Sequence, residues 1–253
     1  MKKFLAIILS LLMLNFMTGC ERGSDSQEVK DAGKLIVGIT DCEPMNYKVD
    51  GEWTGFDTEF AQLFAKEKLG VEVEFIEIEW AKRYDLLNEY EIDCIWNGMT
   101  IEKDEQTAIS VSDGYLLNSQ ILVTKADKVS YFENGYDIKN LLFAAENGSA
   151  GYLCAQYEGF DVNTYDTQHQ ALKSVVNGMS DAAIVDYTFA QKVVGVGKTY
   201  STLATGFPFS DEVYGVGFRK DSDLTEMLNK FISEHKDKEL LELANKYDLT
   251  LFG

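Results

Sequence analysis

Apolar and polar positions along the chain follow two periods, and the two alternate. Leu35-Ile36-Val37-Gly38-Ile39-Thr40 is a nearly unbroken apolar run and reads as a buried strand. After a loop over 41–53 with a turn at Val49-Asp50-Gly51, Phe60, Leu63, Phe64 and Leu69 recur at helical spacing. Asp57 is the expected N-cap of that helix, Glu59 lies in its first turn and Gly70 stops it. Lys66 and Lys68 suit the negative end of its dipole. Residues 71–79 (VEVEFIEIE) alternate with period two, which is a strand. Residues 83–90 predict a short helix with Leu86 and Leu87 on one side, and Cys94-Ile95-Trp96 begins another buried strand. Strand, helix, strand, helix, strand is the order of a parallel, doubly wound lobe.

A second lobe is expected after Ser112-Asp113-Gly114-Tyr115. Strands are predicted over 120–125 and 142–145, and Gly148-Ser149-Ala150-Gly151 leads into a helix that runs through Gln156. Thr167 can cap a helix that carries Leu172, Val175, Val176 and Met179 on one face. Residues 181–186 (DAAIVD) form a buried strand that ends in a carboxylate. A helix and a loose segment to Asp211 follow, then a last strand over 214–219. One closing helix is capped near Asp223 and carries Leu224, Met227, Leu228 and Phe231. The other, 238–247, carries Leu240, Leu241, Leu243 and Ala244.

The first twenty residues change the expected compartment. Lys2 and Lys3 precede an apolar run from Phe4 to Met17, broken only by Ser10 and Asn15, which is the plan of a signal peptide. It ends in Met17-Thr18-Gly19-Cys20, which resembles the lipobox of bacterial lipoproteins, with Met17 in place of the usual Leu. Cleavage after Gly19 would leave Cys20 to carry a diacylglycerol, and two acyl chains anchor stably. Residues 20–33 are polar and patternless and read as a tether. The expected location is extracytoplasmic, lipid-anchored to the bacterial cell membrane, and an acidic lipoprotein of this kind fits a Gram-positive surface.

Composition narrows the partners. A net charge of −19 repels nucleic acid and anionic headgroups alike. With 45% hydrophobic and 12% aromatic residues, the 253-residue chain can fill a large core. Beyond Cys20, Cys42, Cys94 and Cys154 are scattered and make neither a disulfide framework nor a metal motif. No cofactor and no metal are expected, and a monomer is.

Residues 92–105 (IDCIWNGMTIEKDE) carry the candidate chemistry. An apolar run closed by small and polar residues is a strand that stops at the edge of its sheet. Ligands of open α/β sheets bind outside the carboxyl ends of the strands, so Asn97, Gly98, Met99 and Thr100 are candidate ligand contacts. Asp186 at the end of its own strand is a sensible partner for a cation. The N–H groups of Ser149 and Ala150, at a helix start, suit an anion. Enzymatic motifs fail. Gly197-Lys198-Thr199 lacks the glycine of a phosphate loop, since Lys192 stands there. Gly148-Ser149-Ala150-Gly151 has the wrong spacing for a nucleophile elbow, and His169 and His235 share no metal or triad spacing.

Together these stretches resemble the family 3 bacterial solute-binding proteins, the substrate receptors of polar amino acid ABC importers. The resemblance rests on Gly38-Ile39-Thr40-Asp41 with Pro44, Gly55-Phe56-Asp57, Ile92-Asp93 through Asn97-Gly98-Met99-Thr100-Ile101, and residues 181–186, in the family's order. It implies two α/β lobes joined by a two-strand hinge, the type 2 periplasmic-binding-protein fold. The implied lobe 1 is 34–114 with 215–253, lobe 2 is 119–210, and the hinge is 115–118 with 211–214. It implies a protein that is not an enzyme, closes on a small polar amino acid or cationic amine, and docks to a membrane permease. On this resemblance Asp186 grips the ligand's amino group, and Ser149 and Ala150 meet its carboxylate. Gly98 and Thr100 hydrogen-bond it and Trp80 walls the pocket; Asp41 and Glu43 are further candidate contacts, although the loop after Asp41 is short and has Cys42 and Glu43 where the family usually puts an aromatic before Pro44.

The family's carboxylate-binding Arg is replaced here by Glu105. A carboxylate would repel an α-carboxylate, and Arg's forked geometry has no simple substitute. Lys103 or Arg83 is near enough in sequence to compensate. Glu43, Glu105, Glu146 and Asp186 around one cleft would favour a cationic ligand. Two other readings share these residues: a lipoprotein that senses its ligand without transporting it, and a dehydratase-like cleft enzyme of the same fold.

Overall fold

The computed structural model describes residues 23–102, 105–133 and 138–253. The expected leader, Cys20 and Lys103 lie outside them, and so does the side chain of Glu105. Helix α1 (Asp25–Ala32) is followed by β1 (Lys34–Ile39), a small hairpin of β2 (Tyr47–Val49) and β3 (Glu52–Thr54), α2 (Phe56–Phe64) and β4 (Glu72–Glu77). Next come α3 (Arg83–Asn88), β5 (Cys94–Thr100), a short α4 (Glu105–Ala108), β6 (Ser110–Val111) and β7 (Leu116–Lys125). Then follow α5 (Val129–Glu133), β8 (Leu142–Glu146), α6 (Ala150–Glu158), β9 (Asp161–Tyr165), α7 (Gln168–Val176) and β10 (Ala182–Asp186). The chain closes with α8 (Tyr187–Val193), β11 (Leu203–Phe218), α9 (Asp223–His235) and α10 (Leu241–Tyr247).

One sheet runs through the molecule in the order β4-β1-β5-β11-β7-β10-β8-β9, with β6 beside β11. β4, β1 and β5 are parallel, as are β10, β8 and β9. Between these sets β7 and β11 pair antiparallel along most of their length. β11 pairs first with β7 and then, from Tyr214 on, also with β5. The last residues of β5, β8 and β10, namely Thr100, Glu146 and Asp186, all line one cleft.

Hydrophobic cores line both faces of both halves. Phe56, Phe60, Phe64, Trp96, Tyr115 and Phe231 form the largest, on one face of β1 and β5. Met99, Ile92, Ile95 and Leu87 fill the other. In the second half, Phe143, Phe160 and Ile184 pack on one face and Val123, Leu172, Val185 and Phe189 on the other.

Three expectations are corrected and one strand was not foreseen. Residues 25–32 of the segment read as a tether form α1. Its Val29 is buried, Ser26 N and Oγ donate to Asp223 at 3.0 and 2.5 Å, and Asp25 pairs with Arg219. Asp57 is not a cap. It lies fully buried inside the first turn of α2, accepting from Gly98 N at 2.6 Å and Tyr115 Oη at 2.8 Å. The segment read as loose to Asp211 is strand from Leu203 onward, with irregular pairing around Pro208 hiding the period. Finally, β9 pairs with β8 although its side chains are mostly exposed and carry no apolar run.

Candidate functional site

The cleft is walled by Trp80, Asn97, Gly98 and Thr100 on one side and Glu146, Ser149, Ala150, Gln168 and Asp186 on the other. The two walls nearly touch, leaving about 20 Å³, room for about one water molecule. Trp80 is presented by a tight turn just before α3. Arg83 follows it, with its guanidinium 4.5 Å from the Trp80 ring and 4.2 Å from that of Tyr84. Nη1 of Arg83 donates to Trp80 O and Nη2 to Tyr84 Oη, both at 2.9 Å. A Cβ on Gly148, across the cleft, would stand 3.5 Å from Arg83 Nη1.

The tip of β5 divides by face, as strand alternation requires. Thr100 faces the cleft and donates from Oγ1 to Glu212 Oε2 at 2.9 Å. Asn97 borders it, but its amide is spent on the scaffold. Oδ1 accepts from Thr40 N and Asn46 Nδ2, both at 2.8 Å, and Nδ2 donates to Thr40 Oγ1 at 2.7 Å. Gly98 has φ +55°, and an added Cβ would meet Met45 and Tyr214 at 3.1 Å. Its N–H is held by Asp57, so the expected backbone contact from that group is already occupied. Met99 is a correction: it is buried on the opposite face, against Gly217, in the core with Ile95 and Ile109.

Asp41 and Glu43 are also corrected. Asp41 is exposed, and Glu43 lines a separate surface groove with Tyr47, Trp53 and Tyr247. The cause is a tight turn in which Cys42 N donates to Asn46 O and Asn46 N to Cys42 O, swinging Glu43 outward. Cys42 points inward instead, packing with Val185 and Ile121, its Sγ 3.8 Å from Gln168 Nε2. Burial, then the charges of Asp186 and Glu146, push its thiol pKa well up, so it stays protonated.

Asp186 sits at the end of β10 among carboxamides. Its Oδ1 accepts from Asn118 Nδ2 at 2.8 Å and Gln120 Nε2 at 2.7 Å, and its Oδ2 from Gln168 Nε2 at 2.5 Å. Glu212, on β11 opposite Asn118, accepts from the same Asn118 and Gln120 amides at 3.1 and 3.0 Å. Burial raises both carboxyls. Glu212 reaches about 7, with Asp186 adding to the rise and the amide and Thr100 donors opposing it. Glu146 ends β8, next to β10. Burial, then the charge of Asp186, push its carboxyl to about 8, with Arg83 pulling the other way. Ser149 caps α6, its Oγ accepting from Tyr152 N at 3.2 Å while its N–H goes to Glu146 O. Glu105 lies in α4, with its side chain outside the described residues.

Sequence reasoning missed Gln168, which lines the cleft, and Asn118, Gln120 and Glu212, which support Asp186 and Thr100 from behind it. Gln168 follows the recognised cap Thr167, and Glu212 shares a face with Tyr214 two residues on. Those were the available signals, and the strand start read at Tyr214 hid the second.

The sequence profile of the bacterial extracellular solute-binding proteins, family 3, matches residues 35–250. The chain belongs to that family. Two curated relatives show the range. The arginine-binding extracellular protein ArtP of Bacillus subtilis (strain 168) is 28% identical over 256 residues, 97% of each chain. The L-cystine-binding protein TcyJ of Escherichia coli (strain K12) is 32% identical over 227 residues, 87% of this chain and 84% of the relative. Among solved structures, the P235GK mutant of ArgBP from T. maritima superposes with a TM-score of 0.80 at 28% identity, covering 88% of this chain and 98% of that one. These relatives carry the names of amino acid-binding proteins, not of enzymes. As a family 3 solute-binding protein, the chain has the type 2 periplasmic-binding fold and an extracytoplasmic, amino acid-binding role.

Proposed function

We propose that the protein is the substrate-binding lipoprotein of an ABC importer. It captures a small amino acid or amine-like solute in the cleft, closes on it and delivers it to a membrane permease. The observation that carries this reading is that residues from both halves wall one cavity, at the carboxyl ends of strands from both parallel sets. Lobe 1 is taken as 34–114 with 215–253, lobe 2 as 119–210, and 115–118 with 211–214 as the hinge. Support for the hinge comes from β7 and β11, the pair through which the sheet passes from one half to the other. Closure by rotation about such a pair buries the ligand between the lobes.

Asp186 takes the ligand's ammonium. Its three amide donors hold the carboxylate in place, and a cation completes the neutralisation that neutral donors do not. Trp80 supplies the apolar wall, and Thr100, Ser149 and Ala150 complete the lining. Cys20 carries the lipid, with the anchor at the outer surface of the cell membrane.

Solution scattering of the purified chain with and without a panel of amino acids and amines tests this reading. At least one compound is expected to reduce the radius of gyration, with 1:1 binding. A panel that leaves both scattering and melting temperature unchanged contradicts it. For the anchor, cells fed a palmitate analogue are expected to label the wild-type chain and not Cys20→Ala; equal labelling contradicts lipidation at Cys20.

A further inference from the structure

We propose that Glu146 selects the ligand by charge. On this view the solute carries a second cationic group besides the ammonium on Asp186, as in a basic amino acid or a diamine. The proposal rests on the receptor reading above and names the class of solute.

The two carboxylates that line the cleft, Asp186 and Glu146, and Glu212 just behind it differ in what surrounds them. Asp186 has three side-chain amides. Glu212 has two amides and the hydroxyls of Thr100 and Ser210. Glu146 is 5% exposed and lines the cavity, yet among the described residues no group donates a hydrogen bond to its carboxylate or pairs with it. Ionising a buried carboxyl group without a donor is costly, far more so than ionising one held by amides. Arg83 acts on it electrostatically from the other wall, with Nη1 and Nη2 also donating to Trp80 O and Tyr84 Oη. A cation entering the cavity meets a carboxyl group that has no hydrogen-bond donor of its own and that burial keeps protonated up to about pH 8.

Placement fits two cationic ends. Glu146 and Asp186 close adjacent parallel strands, with Ala144 beside Ala183 in register, so they stand side by side at one wall. Trp80 faces them from the other wall, an apolar surface for the methylene stem between two charged ends. A neutral ligand would bury Glu146 either charged and unpaired or protonated. Burial already pushes that carboxyl to about 8, so a cation arriving beside it would drive off a proton, and a neutral ligand would not.

The test is calorimetric titration of the purified full chain with L-arginine, L-lysine and putrescine, against L-citrulline and L-glutamine. Arginine and citrulline have nearly the same shape and differ in side-chain charge. Titrations at pH 7.5 in two buffers of different ionisation enthalpy count released protons. At least one cationic compound is expected to bind about 100-fold tighter than the neutral ones, with proton release. Glu146→Gln, checked for an unchanged fold by its melting transition, is expected to erase both the preference and the release. Tight binding of citrulline or glutamine to the wild type overturns the proposal, and so does a cationic preference that survives in Glu146→Gln. A neutral amino acid whose binding Asp186→Asn abolishes would remove this inference and leave the receptor reading standing. If none of the compounds binds, both fall.

Discussion

Asp186 and Glu212 share their hydrogen-bond donors: Nδ2 of Asn118 and Nε2 of Gln120 each donate to both carboxyl groups. Asn118 and Gln120 lie on β7, Glu212 on β11 and Asp186 on β10, so the carboxamides tie the cleft to the two strands that cross the molecule. A change of charge at Asp186 is felt directly by the strands on which closure is proposed to turn.

The closed form should be sensitive to pH. Burial raises Glu146 to about 8, Glu212 to about 7 and Asp57 to about 7, all above their unfolded values near 4. The closed fold therefore binds more protons than the unfolded chain. Its stability is highest below about pH 4 to 5 as far as these groups act, and it is lost as pH rises through 7 and 8. Melting of the protein without added solute should fall steadily from pH 5 to 8.5, and the fall should be shallower in Glu146→Gln. Identical slopes in the two proteins would show that Glu146 does not titrate in the fold.

Arg219 is a structural counterpart to the cleft. Its guanidinium is 5% exposed and pairs with Asp93 at 3.0 Å and Asp25 at 3.1 Å, and its Nη1 donates to Ile92 O at 2.7 Å. These contacts join α1, β11 and the approach to β5. Arg219→Met removes the cation from the partly buried Asp25 and Asp93 carboxylates and a donor from Ile92 O, at a cost of about 3 kcal/mol. A drop in Tm of roughly 10 °C is expected for a chain of this size. A drop under about 2 °C would mean that α1 and Asp93 find other partners.

Gly151 sets how closely α6 approaches β10. A Cβ there would stand 2.5 Å from Ile184 O and 2.9 Å from Gln120 Oε1. Gly151→Ala should push the start of α6, and Ser149 and Ala150 with it, away from Asp186. The expected cost is about 1–3 kcal/mol in stability, with solute affinity weakened as well. Gly159→Ala, at the far end of α6, has φ +73° but nothing within 4 Å of the added carbon. It should cost about 1 kcal/mol and leave affinity alone. Equal affinities for wild type and Gly151→Ala would contradict the link between this contact and the cleft.

Much of this architecture was legible in the residues. The apolar runs at Leu35, Cys94 and Ala182 gave the buried parallel strands, because strands covered on both faces carry unbroken apolar sequence. The cap at Thr167 is present, with Oγ1 accepting from Gln170 N at 3.1 Å. Trp80, Asn97, Gly98, Thr100, Ser149, Ala150 and Asp186 do meet at one cavity. Other features were hidden for definable reasons. β11 crosses between environments, so its burial changes along its length and no single period holds. Glu43 was misread because the turn at Cys42 is set by backbone hydrogen bonds that leave no mark on polarity. Met99 was read with its neighbours, although alternation sends every second side chain of β5 to the other face. Asp57 looked like a surface cap because burial of a lone carboxylate cannot be seen without Gly98 N and Tyr115 Oη beside it.

The central claim is that Asp186 holds the ammonium of a solute enclosed in this cleft. Titration of wild type and Asp186→Asn, side by side, with the amino acids and amines tests it most directly. The prediction is 1:1 binding of at least one compound to the wild type, weakened about 100-fold in Asp186→Asn, whose melting transition stays close to that of the wild type. Binding of the same compound with equal affinity to both proteins would contradict it.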